Sequence, residues 1–263
     1  MRTKILLTIS YVGTAYCGYQ VQPNGVTVQE MLNRAAEALF GFPCDVVGCS
    51  RTDSGVHARG FCATIAKKGE NHLPCTIPVD RIPRAFNVHL PSDIAVKRAR
   101  VVDCDFHARY GVLSKEYEYL IHNAHERDPF LDNRAWQIPQ PIDDAALANM
   151  QAAARAFVGK KDFSAFRAAG ADTKEKDAVR TVYDARVERI GDTVSFRVRA
   201  DGFLYNMVRI MAGTLAAVAA GDIAASDIDA ILESKDRRRA GMTAPTHGLY
   251  LDRVFYPFDG EEE

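Results

Sequence analysis

Between residues 48 and 60 the chain gathers one carboxylate (Asp53), two guanidinium groups (Arg51, Arg59), one imidazole (His57) and three hydroxyls (Ser50, Thr52, Ser54). A short apolar run, Val46–Val47, leads in, and another, Phe61 to Ile65, leads out. A core strand does not carry that polar load, so the stretch is expected to be a loop or strand end held between strands, where chemistry usually sits. The chemistry available is that of a carboxylate: attack as a nucleophile, or removal of a proton as a base. Asp-Ser-Gly is also ordinary turn punctuation, with the Asp side chain capping and Gly supplying positive φ. That reading accounts for Asp53 and Gly55 but not for Arg51, Thr52 and His57 beside them.

The whole chain is ordinary in composition. Its 263 residues suit one large domain or two closely joined halves, long enough to bury a core without covalent staples. No apolar run reaches the ~18 residues of a membrane span. The run Met1 to Ser10 enters a strand-like pattern directly, with no cleavable leader expected. Six cysteines include no Cys-x-x-Cys pair, so neither a zinc site nor a redox pair is expected, and reduced thiols in a cytoplasmic protein are. The net charge of −1 is unpromising for a nucleic-acid partner. However, four acids lie in a tail at 259–263 that is expected to fray, and setting them aside leaves 33 bases against 30 acids. Clustered, such an excess can still line a groove.

Alternation at Ile5, Leu7, Ile9 and Tyr11 predicts a first strand. The stretch 13–22 is rich in Gly, Tyr and Gln, and its aromatics, Tyr16 and Tyr19, are either stacking platforms for bases or loop anchors. Thr27 and Glu30 form a capping box for a helix to Phe40 that Gly41 ends. Further on, the patterns predict a short helix within 78–87, a strand over 94–102, helices over 143–157 and 203–220, and strands over 180–189 and 193–200. A charged, Ala-rich loop is expected at 171–177, and Ser226 and Asp229 are expected to cap a short helix. Alternation puts Tyr117 and Tyr119 on one face of a strand, and Arg197 and Arg199 on one face of another, where a solvated sheet surface is the plain alternative. Phe163 and Phe166, interleaved with Lys160, Lys161 and Arg167, suit either a nucleic-acid surface or a core. His107, His122 and His125 match no metal pattern and read as solvent or loop histidines.

Arg51-Thr52-Asp53-Ser54-Gly55-Val56-His57-Ala58 resembles the active-site signature of the TruA family of tRNA pseudouridine synthases, commonly Gly-Arg-Thr-Asp-Ala-Gly-Val-His-Ala. Ser50 and Ser54 depart from that pattern and leave the Asp untouched. The resemblance continues in family order. Phe106-His107-Ala108-Arg109-Tyr110 is similar to Phe-His-Ala-Arg-Phe, and Asp162 to Phe166 to Asp-Phe-x-x-Phe. Phe203 to Gly213 resembles the block around Met-Val-Arg, and Thr243 to Leu251 resembles Thr-Ala-Pro-x-x-Gly-Leu-x-Leu.

The resemblance implies an α+β pseudouridine synthase fold: a mixed, mostly antiparallel central sheet, helices on its outer faces, and two subdomains around a catalytic cleft. The first would be 1–104, with the Asp loop, and the second 105–263. It implies isomerisation of uridine to pseudouridine at positions 38, 39 and 40 of the tRNA anticodon stem-loop, without cofactor or metal, by a homodimer. Asp53 would be nucleophile or base, Arg209 its charge partner, and Arg51 a second partner or the group that displaces the extruded nucleotide. Tyr117 would stack on the uracil, and His57 would help bind substrate. Basic strips at 97–100, 160–161, 197–199 and 237–239 would hold phosphates. Two rivals are a non-catalytic tRNA-binding or folding protein on the same fold, and a hydrolase using Asp53, His57 and a serine, which lacks a nucleophile-elbow glycine pattern.

Overall fold

A computed structural model describes residues 3–169 and 177–260. In chain order these form β1 (Thr3–Tyr11), α1 (Val28–Phe40), β2 (Cys44–Gly48), β3 (His57–Lys67), α2 (Ile82–Asn87), β4 (Ile94–Asp103) and β5 (Ser114–His122). There follow β6 (Trp136–Gln137), α3 (Asp144–Arg155), β7 (Gly159–Asp162), β8 (Val179–Ile190), β9 (Thr193–Ala200), α4 (Met207–Ala220), α5 (Ile228–Ser234) and β10 (Leu249–Phe255). The class is α+β with mostly antiparallel strands, as expected.

Two compact units appear: the chain up to Leu113 together with the closing segment from Tyr250, and Ser114–Leu249. The sequence reading divides the chain at 104/105 and leaves the C-terminus with the second half. The closing segment joins the first unit because β10 pairs in parallel with β3, Tyr250 opposite His57.

In the first unit β1 lies antiparallel between β3 and β4. Its alternate residues Ile5, Leu7 and Ile9 face the same side as Ile65, Ala63 and Phe61 of β3, and all six are buried. Helix α1 starts where Thr27 accepts from the Glu30 N–H at 3.3 Å and stops at Gly41, whose φ of 76° only glycine takes without strain. β2 pairs with the second half of β3 only, from Gly48 opposite Ala63. The first half of β3 pairs with β10 instead. The β2–β3 connection is therefore a wide loop, residues 49–56, rather than a tight hairpin.

In the second unit β9 lies antiparallel between β5 and β8, and β7 continues past β8. Tyr119, Phe196, Val194 and Val198 are buried on one face, along with Met150 of α3 and Ile210, Met211 and Leu215 of α4. The other face differs from the solvated surface considered above. Glu118 is buried there, accepting from the Ser195 hydroxyl at 2.6 Å and from Arg197 at 2.9 Å. Arg199 donates to Ser114 at 2.9 Å. A buried carboxylate needs such partners, and the pairing register supplies them.

Several boundaries move. Helix α4 begins at Met207, because Asn206 sits at φ 60° in a turn that the Met207 N–H closes onto the Leu204 carbonyl at 3.0 Å. Helix α3 ends at Arg155, short of the expected Phe157. Neither Ser226 nor Asp229 caps α5; Asp227 holds the N-cap position and makes no side-chain cap bond. Asp259 is not frayed: its carboxylate accepts from the Tyr256 N–H at 2.7 Å in a short turn over Pro257–Gly260. The acids at 261–263 lie outside the described residues, as does 171–176 of the expected charged loop. His122, expected at the surface, is 7% exposed.

Candidate active site

The loop 49–56 is held by a segment distant in sequence. Its turn closes where the Val56 N–H donates to the Asp53 carbonyl at 3.2 Å, with Gly55 at φ 80°. On either side the backbone and side chains are fixed to residues 11–19. The Tyr11 and Thr52 hydroxyls hydrogen-bond at 2.8 Å, both buried. The Thr52 carbonyl accepts from the Tyr19 N–H at 3.1 Å. Ser54 donates to the Tyr16 carbonyl at 3.1 Å. The Gly13 N–H donates to Nδ1 of His57 at 2.9 Å, in a buried position.

Two glycines make this approach possible. A Cβ on Gly13 would stand 2.0 Å from the Val56 carbonyl oxygen, and one on Gly18 (φ 83°) would stand 2.7 Å from that of Thr52. Asp53 itself is half-buried, Arg51 exposed, and Thr52 and Val56 buried. A carboxylate is thus presented on a turn whose flanks cannot move independently of the core.

His57 does not lie open to a ligand. It is 1% exposed, its ring 4.7 Å from that of Tyr250, and its Nδ1 accepts a backbone N–H and therefore carries no proton. Tyr16 and Tyr19 are likewise anchors rather than open stacking platforms. Tyr16 donates to Asp93 at 2.6 Å, and Tyr19 stacks on Phe61 at 4.2 Å. Phe163 and Phe166 are fully buried core residues.

In the second unit Tyr117 and Arg209 are each held by residues of that unit. Tyr117 is buried edge-on against Phe203, centroids 5.0 Å apart. Arg209, in the first turn of α4, donates from Nε to the Ala244 carbonyl at 2.8 Å and from Nη1 to Asn206 Oδ1 at 2.8 Å. The Ala244 N–H returns a bond to the Arg209 carbonyl at 3.1 Å. Next along, the Pro245 carbonyl accepts from Tyr119 at 2.8 Å. Burial pushes the Tyr119 hydroxyl well above the ordinary phenol range, against a smaller opposing effect of the Arg209 charge. It stays a neutral donor.

Sequence reasoning missed Gly13 and Gly18 as holders of the loop, Asn206 and the Ala244 carbonyl as holders of Arg209, and Tyr119 as the donor to the neighbouring Pro245 carbonyl. The Thr243-Ala244-Pro245 match was the available signal for the latter. Of the basic strips, Arg197 and Arg199 are engaged on the sheet. Lys161 bonds Asp229 at 2.9 Å, and Arg238 bonds Asp236 at 2.7 Å.

A family model described as tRNA pseudouridine synthase matches residues 7–111 and 153–257. The chain belongs to this family. A tRNA pseudouridine synthase A of Acetivibrio thermocellus is 46% identical over 253 residues, covering 96% of this chain and 99% of that protein. Those of Thermoanaerobacter sp. (strain X514) and Bacillus subtilis (strain 168) are each 41% identical over 96% of this chain and 99% of theirs. A solved Cbf5-Nop10-Gar1 complex aligns over 94% of this chain and 48% of that one at 15% identity, with a TM-score of 0.36, too distant to bear on fold or function.

Proposed function

We propose that this chain isomerises uridine to pseudouridine at positions 38, 39 and 40 of the tRNA anticodon stem-loop. The N1–C1′ bond breaks, the uracil turns, C5 bonds to C1′, and the proton leaving C5 is balanced by one gained at N1. Nothing is added or removed overall. Asp53 is the nucleophile or base, Arg209 the cation that favours its ionised form, and Tyr117 the ring against the uracil. Arg51 occupies the space of the extruded nucleotide. His57 positions the loop instead of binding the base.

The observation carrying this reading is the half-buried carboxylate of Asp53 on a turn fixed at both flanks, in a chain of this family. A base taken out of its stack at a cost of a few kcal/mol needs a reacting group already in place. Three adjacent target positions fit recognition of RNA by shape and flexibility.

Asp53→Asn is expected to abolish tritium release from tRNA labelled at uridine C5, with tRNA affinity within about tenfold of the parent. Turnover at the parent rate in that variant would remove Asp53 from its role. We also take the working form to be a cytoplasmic homodimer, checked by sedimentation with and without tRNA. Among the described residues no helix is long and apolar enough to cross a membrane.

A further inference from the structure

Beside the Asp53 loop, within the first unit, a cavity of about 210 Å³ is lined by Tyr19, Ser50, Arg51, His107, Arg109 and Tyr110, among others. Its floor is rigid. Gln29 accepts from the Val21 N–H at 2.9 Å and donates to the Val46 carbonyl at 2.8 Å. Its rim is an aromatic pair, His107 and Tyr110, with ring centroids 4.4 Å apart. Nδ1 of His107 accepts from the backbone N–H groups of Arg109 at 3.1 Å and Tyr110 at 3.4 Å, which fixes the imidazole plane. Burial, with help from the Lys4 and Arg109 charges, lowers the His107 pKa, so the ring stays neutral.

Tyr110 is 79% exposed, with the His107 imidazole against its ring. Arg51 and Arg109, both exposed, bring two guanidinium groups to the same cavity. The hydroxyl of Tyr19 is buried in the wall without a hydrogen-bond partner. An open aromatic ring beside exposed guanidinium groups supplies what holds a single-stranded nucleotide: stacking for the base, guanidinium for the phosphate. The volume lies below the ~300 Å³ at which a cavity encloses a free small molecule. It suits one unit of a chain that is anchored elsewhere.

We infer that this cavity takes the nucleotide next to the target uridine, with its base on Tyr110 and His107 and its phosphate on Arg109. The inference rests on the function proposed above and extends it: the enzyme grips two consecutive nucleotides, one for chemistry and one for register. Stacking tolerates any base, which agrees with several target positions served by one site.

The test uses the full-length chain and two anticodon stem-loop RNAs, carrying 2-aminopurine one nucleotide 5′ or 3′ of the target uridine. One of the two probes is expected to be quenched on binding. Tyr110→Ala should abolish that quenching and weaken binding about tenfold, while Tyr110→Phe should keep both. Arg109→Ala should lower the slope of log affinity against log salt by about one. Both side chains are exposed, so the variants are expected to fold. Quenching at neither probe, or quenching and affinity unchanged in Tyr110→Ala, overturns the inference. Pseudouridine formation by the parent is scored separately. If it occurs with both probes silent, only this inference falls; if it is absent while a probe is quenched, only the proposed reaction falls.

Discussion

Replacing Gly13 with Ala tests whether the Asp53 turn works by being fixed in place. A Cβ built there lies 2.0 Å from the Val56 carbonyl oxygen and 2.7 Å from its carbon. Both are main-chain atoms, so no rotamer change relieves the contact. Ordinary carbon–oxygen contact begins near ~3.2 Å, so one side must yield by on the order of 1 Å. Val56 closes the turn onto Asp53, and Gly13 is itself bonded to His57, so the yielding part is the loop. A misplacement of about 1 Å in a reacting group can lower the rate roughly 100-fold. The expected outcome is a single-turnover rate constant for pseudouridine formation down about 100-fold at saturating enzyme, with RNA affinity nearly unchanged. Stability should fall as well, by about 1–3 kcal/mol from the disturbed buried hydrogen bond. Gly41→Ala is the control. Gly41 also has positive φ, at 76°, but nothing lies within 4 Å of its added Cβ. It should lose about 1–2 kcal/mol in urea melts and keep its rate constant. A Gly13→Ala rate constant within about threefold of the parent would refute the reasoning.

Arg209→Lys keeps the charge but cannot reproduce the fork that reaches Ala244 and Asn206 together. Losing one charge-assisted bond of about 1.5–3 kcal/mol should lower kcat by roughly 10- to 100-fold, and an unaffected kcat would reject the positional role. Asp162 gives a pH signature. Burial pushes its carboxyl up, but the Lys235 ammonium at 2.8 Å and the Ser164 bonds outweigh this and hold it at about 2 against an ordinary 3.8. Its contribution is therefore complete above about pH 4 and is lost as pH falls from there toward 2. Because Lys235 is largely exposed, screening leaves on the order of 1 kcal/mol. In urea melts the gap between parent and Asp162→Asn should be narrower at pH 3 than at pH 5; an equal gap at both would refute the assignment.

What could be read from the sequence was what is local. Thr27, Glu30 and Gly41 specify both ends of α1 within fifteen residues, and the structure has that helix between them. The loop carrying Asp53 was visible because its polar residues are contiguous. The start of α4 was not, because Phe203 and Leu204 continue the apolar spacing while the backbone at Asn206 turns left-handed. Nor could composition separate a stacking aromatic from a core one. Tyr19 and Phe166 are buried, whereas Tyr110 is exposed, and that difference depends on which strands come together. Arg197 was ambiguous for the same reason, since its partner Glu118 lies 79 residues away and meets it only through the β5–β9 register. His57 was read as a substrate-binding residue, and its burial was not legible, because the acceptor role of Nδ1 needs Gly13, 44 residues distant.

The departures from the common family signature fit the same logic. Where the family often has Ala beside the signature Asp, this chain has Ser54, and its hydroxyl reaches the Tyr16 carbonyl at 3.1 Å. Tyr16 in turn is held by Asp93 at 2.6 Å. The substitution therefore adds a hydrogen bond between the Asp53 turn and the segment that already holds it, and it brings no new reactive group to the carboxylate. Ser54 is exposed, so the bond competes with water and contributes little to overall stability. Its effect is confined to the geometry of the turn. Ser54 faces solvent, whereas a side chain at Gly13 or Gly18 would meet the main chain of the loop. What fixes where the carboxylate stands is thus main chain packed on main chain, which the Ser54 hydroxyl supplements and does not replace.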